Sequence, residues 1–183
     1  MRGSATFCIF QSMKNLLYKL FSALMVVALI GCGGDKTKHS AEPPLPNMQP
    51  SLEALAATLV QAIADSNEKL LYDLVLTKDE YRDVVWASLD STETRGMEMD
   101  MAWGWNVRDT DKAIVRFLGD YAGQQLQLTR IEPAKEIRER KQIKVHRGAR
   151  LYVTPLNGEE EQWRILNVVL EYKGWFKVIT YND

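Results

Sequence analysis

The spacing of apolar residues changes once along this chain, and that change limits what it can fold into. Up to about residue 122 the apolar positions recur at helical intervals; from Gln125 onward they alternate. Ser51 is a good N-cap, and Leu52, Leu55, Ala56, Leu59, Val60 and Ile63 follow on one helical face, predicting a helix that ends near Asp65. Ser66 and Asn67 allow a break before a second short helix over 68–76, which carries Leu70, Leu71, Leu74 and Val75. Thr77 with Glu80 three residues later is a capping-box pattern. It starts a third helix, running to about residue 89, with Tyr81, Val84, Val85 and Trp86. Residues 91–96 read as a polar loop, and 97–105 match neither period. Residues 111–122 read as a helix with Ala113, Ile114, Phe117, Leu118 and Tyr121 turned inward.

Beyond the change, 125–132 alternates around Leu126 and Leu128. Residues 136–147 read as one strand with a polar face of Arg138, Arg140, Gln142, Lys144 and His146 opposite Ile137, Ile143 and Val145. A further strand over 150–154 ends at Pro155 and the turn Asn157-Gly158. Segments 163–172 and 175–181 form a hairpin over Lys173-Gly174, with Gly where a positive φ is wanted. Helices first and strands afterwards imply an α+β fold with helices on one face of an antiparallel sheet.

Ahead of Ser51 the chain has a different character. Residues 13–32 open with Lys14 and Lys19, continue as an apolar run from Leu20 through Ile30, and close with Leu29-Ile30-Gly31-Cys32. A basic start, a short apolar stretch and small residues at the cut site define a secretory signal rather than a membrane-spanning helix. The n-region reads from Met13, the expected true start. Leu29-Ile30-Gly31-Cys32 resembles the lipobox of bacterial lipoproteins. The resemblance implies that the Cys32 thiol takes a diacylglycerol, the signal 1–31 is removed, and the new amine is acylated, commonly with palmitate. Gly33 after Cys32 resembles sorting signals for the outer membrane. The expected location is therefore the bacterial cell envelope, lipid-anchored, at the periplasmic face of the outer membrane.

Residues 32–50 are the lipidated Cys and a polar tether with Pro43, Pro44, Pro46 and Pro50, unable to bury a core. Fully stretched, residues 33–50 reach roughly 60 Å. Residues 51–183 are then the single globular domain. The whole chain holds 23 basic and 24 acidic residues. Loss of Arg2, Lys14 and Lys19 with the signal leaves 20 basic against 24 acidic, a net charge near -4, which argues against a nucleic-acid partner. The two cysteines are Cys8 and Cys32, so the mature domain has neither disulfide nor thiolate metal site, as suits an oxidising compartment.

The leading helices with Thr77-Lys78-Asp79-Glu80-Tyr81, and the closing Val169-Leu170-Glu171-Tyr172-Lys173-Gly174-Trp175-Phe176-Lys177-Val178-Ile179, resemble the NTF2-like, cystatin-like α+β domains of small secreted lipoproteins. That resemblance covers 51–183. It implies a curved antiparallel sheet of about four to five strands, enclosing a cone-shaped pocket with the helices. Some members are isomerases or hydrolases, whereas many bind ligands or partners. No catalytic motif of those enzymes carries over.

Candidate chemistry is sparse. His39 falls in the tether and His146 on an exposed strand face, and no His-Glu-x-x-His or Cys/His spacing points to a metal. No cofactor is expected. Asp79, Glu80 and Asp83 offer an acid/base pair on paper, but acids in a first helical turn are what capping and the helix dipole select. Trp103 and Trp105, with Trp86, Tyr81 and the nearby methionines, suit an adaptable apolar pocket, and core packing accounts for them as well. Between 135 and 150 lie Lys135, Arg138, Arg140, Lys141, Lys144, Arg147 and Arg150. They suit either anionic headgroups and cell-wall polymers or a solvated strand face that resists edge pairing. The expectation is a non-enzymatic binding or accessory module, its partners the membrane and an envelope protein or small apolar ligand. The rival expectations are an NTF2-like enzyme on a small apolar substrate and a structural subunit that docks or forms a homodimer through its sheet.

Overall fold

The Ser51 hydroxyl accepts from the Ala54 amide at 3.1 Å and starts α1, Leu52–Ala64, whose inner face is buried throughout. The computed structural model describes residues 42–182; the signal, the lipobox, Cys32 and the tether up to residue 41 lie outside the described residues. Asn67 caps α2, Glu68–Asp73, through the Leu70 amide. The capping box expected at Thr77 and Glu80 is formed in both directions and starts α3, Lys78–Glu80. The helix then widens into a π-helical turn, Tyr81–Val85, and tightens into a 3₁₀ turn, Trp86–Ser88. A second capping box, Asp90 with Glu93, makes the short α4, Ser91–Thr94, out of what reads as a polar loop.

Helix α5, Met99–Tyr121, is one element of 23 residues, so the stretch 97–105, which matched neither period, is helical from Met99 onward. Its inner stripe runs through half-buried Met99, Trp103 and Asn106 to buried Thr110, Ala113, Ile114 and Phe117. Two of those positions are polar and find partners: the Asn106 side chain hydrogen-bonds with the Tyr81 phenol, and Thr110 Oγ1 accepts from the Tyr181 amide at 3.4 Å. Polar residues on the inner face hide a helical period from the sequence.

Seven strands follow: β1 Leu126–Glu132, β2 Glu136–Arg140, β3 Ile143–Arg147, β4 Arg150–Pro155, β5 Glu161–Trp163, β6 Val168–Tyr172 and β7 Trp175–Thr180. They form two antiparallel sheets, ordered β1-β4-β5 and β2-β3-β6-β7, rather than one sheet of four to five strands. The fold class is α+β, as expected. Three stretches of chain pass from one sheet to the other: 133–135 between β1 and β2, Gly148-Ala149 between β3 and β4, and 164–167 between β5 and β6. Gly148 takes φ 74°, and its amide donates to the Asn167 carbonyl at 3.1 Å, which ties the last two of these stretches together. The stretch read as one strand over 163–172 is therefore two. Lys173 and Gly174 both have positive φ (53° and 81°), which gives the β6–β7 hairpin the two-residue turn whose twist matches its strands.

Two apolar clusters lie on opposite faces of β6 and β7. Val169 and Val178 join the cluster of Leu55, Leu59, Ile63, Phe117 and Trp163, against which α1 packs. Val168, Leu170 and Ile179 join the other, with Tyr81, Val85, Ile143 and Val145. The free edge of β7 is covered. Gln49 exchanges two backbone hydrogen bonds of 2.8 Å with Phe176, and the Leu76 amide donates to Val178 at 2.9 Å. Pairing removes an edge open to other chains.

The Gln49 pairing corrects the expected boundary at Ser51. Met48 is 4% exposed within the second cluster, Leu45 packs beside it, and the Pro46 carbonyl accepts from Lys177 Nζ at 2.8 Å. The last residues read as tether belong to the fold, because the sheet edge supplies backbone partners that local composition does not announce.

Candidate ligand-binding site

The π-helical turn, the β2–β3 hairpin and α5 converge on the second apolar cluster and leave a cavity of about 200 Å³ between them. Its apolar wall is Tyr81, Val85, Leu89, Val145, Val168 and Ile179, and its polar members are Glu93, Asn106, Arg138, Arg140 and Arg147. The Trp86 amide reaches back to the Tyr81 carbonyl in the wide turn. π-Turns of this kind often mark functional positions. Both ends of this one, Tyr81 and Val85, face the cavity. A smaller cavity of about 100 Å³, lined by Tyr72, Leu76, Trp103 and Thr110 among others, shares Asn106 and Ile179 with the first.

Of the residues singled out from sequence, Tyr81, Trp86 and Trp103 come together. Tyr81 is 6% exposed, with its ring centroid 6.3 Å from Trp86 and 5.5 Å from Trp103. Trp105 does not join them; it is 45% exposed on the outer side of α5. Burial pushes the Tyr81 phenol up from its ordinary pKa, against an opposing hydrogen bond with Asn106 and the nearby positive charge of Arg147. The phenol is thus neutral at physiological pH, a donor as well as an acceptor.

The arginines are what sequence reading put in the wrong place. Residues 136–147 are not one strand: the chain turns over Lys141-Gln142, with Lys141 at φ 33°, and Arg140 pairs with Ile143 in the ladder. Residues opposite each other in an antiparallel pair share a face, so a two-residue turn inverts the alternation. Arg138 therefore stands beside Val145 on the cavity face, and Lys144 and His146 stand on the other. The expected polar face combining all of them does not exist. Nor do the seven basic residues make one stripe: Lys144 approaches Glu139 and Glu171, Arg150 pairs with Glu132, and Lys141 Nζ donates to the Ala87 carbonyl at 2.9 Å. A recognised turn at Lys141-Gln142 would have revealed the arginines from sequence.

His146 is not on an exposed face either. It is 8% exposed, its Nε2 lies 2.8 Å from Glu171 Oε2, and its ring packs 5.7 Å from Phe176. The acidic run is structural in its contacts. Asp79 and Asp83 both pair with Arg82, whose hydrogen bond holds the Asp83 carboxyl below its ordinary value. Glu80 combines the capping box with an ion pair to Lys177. Among the described residues no group of three or more His, Cys, Asp or Glu side chains is placed to hold a metal ion. None of their helices is long and apolar enough to cross a membrane.

The geometry defines an α+β protein with a small, partly apolar cavity rimmed by guanidinium groups. No protein-family model, curated protein or solved structure matches the chain.

Proposed function

We propose that this protein is a lipid-anchored module of the bacterial envelope, of NTF2-like kind, which binds a small ligand with an apolar body in the cavity between the π-helical turn and the four-stranded sheet. The observation that carries the binding reading is the cavity itself, with aliphatic and phenolic walls beside a polar rim. Concave sites that combine apolar walls with a few placed polar groups are where small ligands bind. The passage of the chain between the sheets at 133–135, Gly148-Ala149 and 164–167 supports a strongly bent sheet, the feature that makes an NTF2-like cone. Anchoring rests on the sequence of residues 13–32 and acts through Cys32, at the periplasmic face of the outer membrane. The tether then holds the domain off the bilayer.

Two measurements test the two parts. Metabolic labelling with a fatty acid should mark the wild-type chain and leave Cys32→Ser unlabelled and unprocessed; label in the Ser variant refutes the anchor. For the cavity, an environment-sensitive hydrophobic dye should bind the purified protein and be displaced by small apolar compounds. Native purification with mass spectrometry of co-purifying small molecules would then identify the occupant. A protein that neither binds the dye nor carries any small molecule refutes the binding reading.

A further inference from the structure

We infer that the cavity selects a small amphiphilic acid, a single carboxylate on a short aliphatic chain or one ring, with Arg147 as the group that recognises the carboxylate. The inference rests on the proposed binding reading and specifies its ligand class. Arg138, Arg140 and Arg147 all line the cavity. Two of them already have carboxylate partners: Arg140 pairs with Glu93, and Arg138 Nε lies 2.6 Å from Glu136 Oε1. Glu136 stands opposite Arg147 in the ladder, but its carboxylate is engaged by Arg138. Among the described residues Arg147 forms no ion pair of its own, although its charge reaches Tyr81 within the site. The charges of Arg140 and Arg147 also act on Glu136, and that of Arg140 on Asp90, but of the three guanidinium groups on the rim only Arg147 lacks an ion pair among the described residues. One anionic head neutralises it.

The chemistry of that head follows from the guanidinium. Its planar fork offers two parallel N–H donors matched to a carboxylate, and such charge-assisted bonds are about twice as strong as neutral ones. The body follows from the wall. A dry cavity of about 150 Å³ accepts benzene, so the space here suits one ring or a chain of similar bulk. Val145, Val168 and Ile179 offer no hydrogen bonds to that part of the ligand. Tyr81 and Asn106 lie between wall and rim, where a neutral phenol and an amide can orient a carboxylate without repelling it.

Three probes of one shape test this: phenylacetate, phenylacetamide and phenethylamine, titrated calorimetrically into the full-length protein in lipid nanodiscs, with empty nanodiscs as the blank. The expected result is that phenylacetate binds at least about tenfold more tightly than the neutral amide, and the cation more weakly than either. Arg147→Gln should weaken phenylacetate by at least about tenfold and phenylacetamide by much less, with the far-ultraviolet circular dichroism of the variant as the check on folding. Equal affinity for acid and amide, or an equal loss of both in the variant, overturns the selection of an acid but leaves the apolar cavity standing as a binding site. No measurable binding of any of the three overturns both.

Discussion

Replacing Glu80 by Gln probes the least expected contact in the fold. Lys177 lies on β7 with its side chain 2% exposed, yet its ammonium has a partner in every direction: Glu80 Oε1 at 3.0 Å, Glu80 Oε2 at 2.9 Å and the Pro46 carbonyl at 2.8 Å. Gln at position 80 still accepts from the Thr77 amide, so the capping box survives in form. What disappears is the negative charge, and a buried ammonium is left against a neutral amide. Breaking a buried pair from one side costs about 3–5 kcal/mol. The Glu80 side chain is 12% exposed and the Pro46 acceptor remains, which places the loss at the lower end, about 3 kcal/mol. In a domain of this size that is a fall of about 10 °C in Tm. Lys177→Met leaves the carboxylate nearer solvent with its cap donor and should cost less, about 1–2 kcal/mol. The double variant removes both charges, so its loss should fall short of the sum of the single losses by about 2 kcal/mol. Urea denaturation of the wild type, both single variants and the double variant, with constant m-values, measures all of this. Losses below about 1 kcal/mol for each single variant with additive behaviour in the double are the signature of a hydrated surface pair, and would refute the burial argument.

Three further outcomes are expected. A chain beginning at Ser51 should melt about 10 °C or more below one beginning at Gly33, because it loses buried Met48, the two Gln49–Phe176 bonds and the Pro46 acceptor of Lys177; equal melts would place those residues outside the folding unit. Trp103→Ala, which strips a ring from Tyr81, should cost about 2–3 kcal/mol in urea denaturation, and Trp105→Ala no more than about 0.5 kcal/mol; the reverse order would mean that α5 is rotated. Tyr121 is pushed up to about 12 by burial, and then by its 2.6 Å hydrogen bond to Glu161. Below pH 10 both folded and unfolded states hold that proton; between 10 and about 12 only the unfolded state releases it, so stability should fall across that window, and Tyr121→Phe should make the fall shallower in pH-dependent denaturation.

What the sequence alone determined is local. The helix starts at Ser51 and at Thr77 with Glu80, and the turn at Lys173-Gly174, were legible because each depends on residues at most a few positions apart. The same holds for the α+β order, which follows from a change of period within one stretch of chain. Tertiary structure decided which face each side chain took. The turn at Lys141-Gln142 has no glycine to announce it, and by inverting the alternation it sent Arg138 and Arg140 to the cavity and His146 into contact with Glu171 and Phe176. Residues 97–105 matched neither period, yet from Met99 onward they belong to one helix, whose polar Thr110 finds its partner in the Tyr181 amide. Lys177 is a buried cation only because Glu80 and Pro46, 97 and 131 positions away, are brought to it. Caps and turns are settled by neighbours along the chain, whereas burial and charge pairing are settled by neighbours in space.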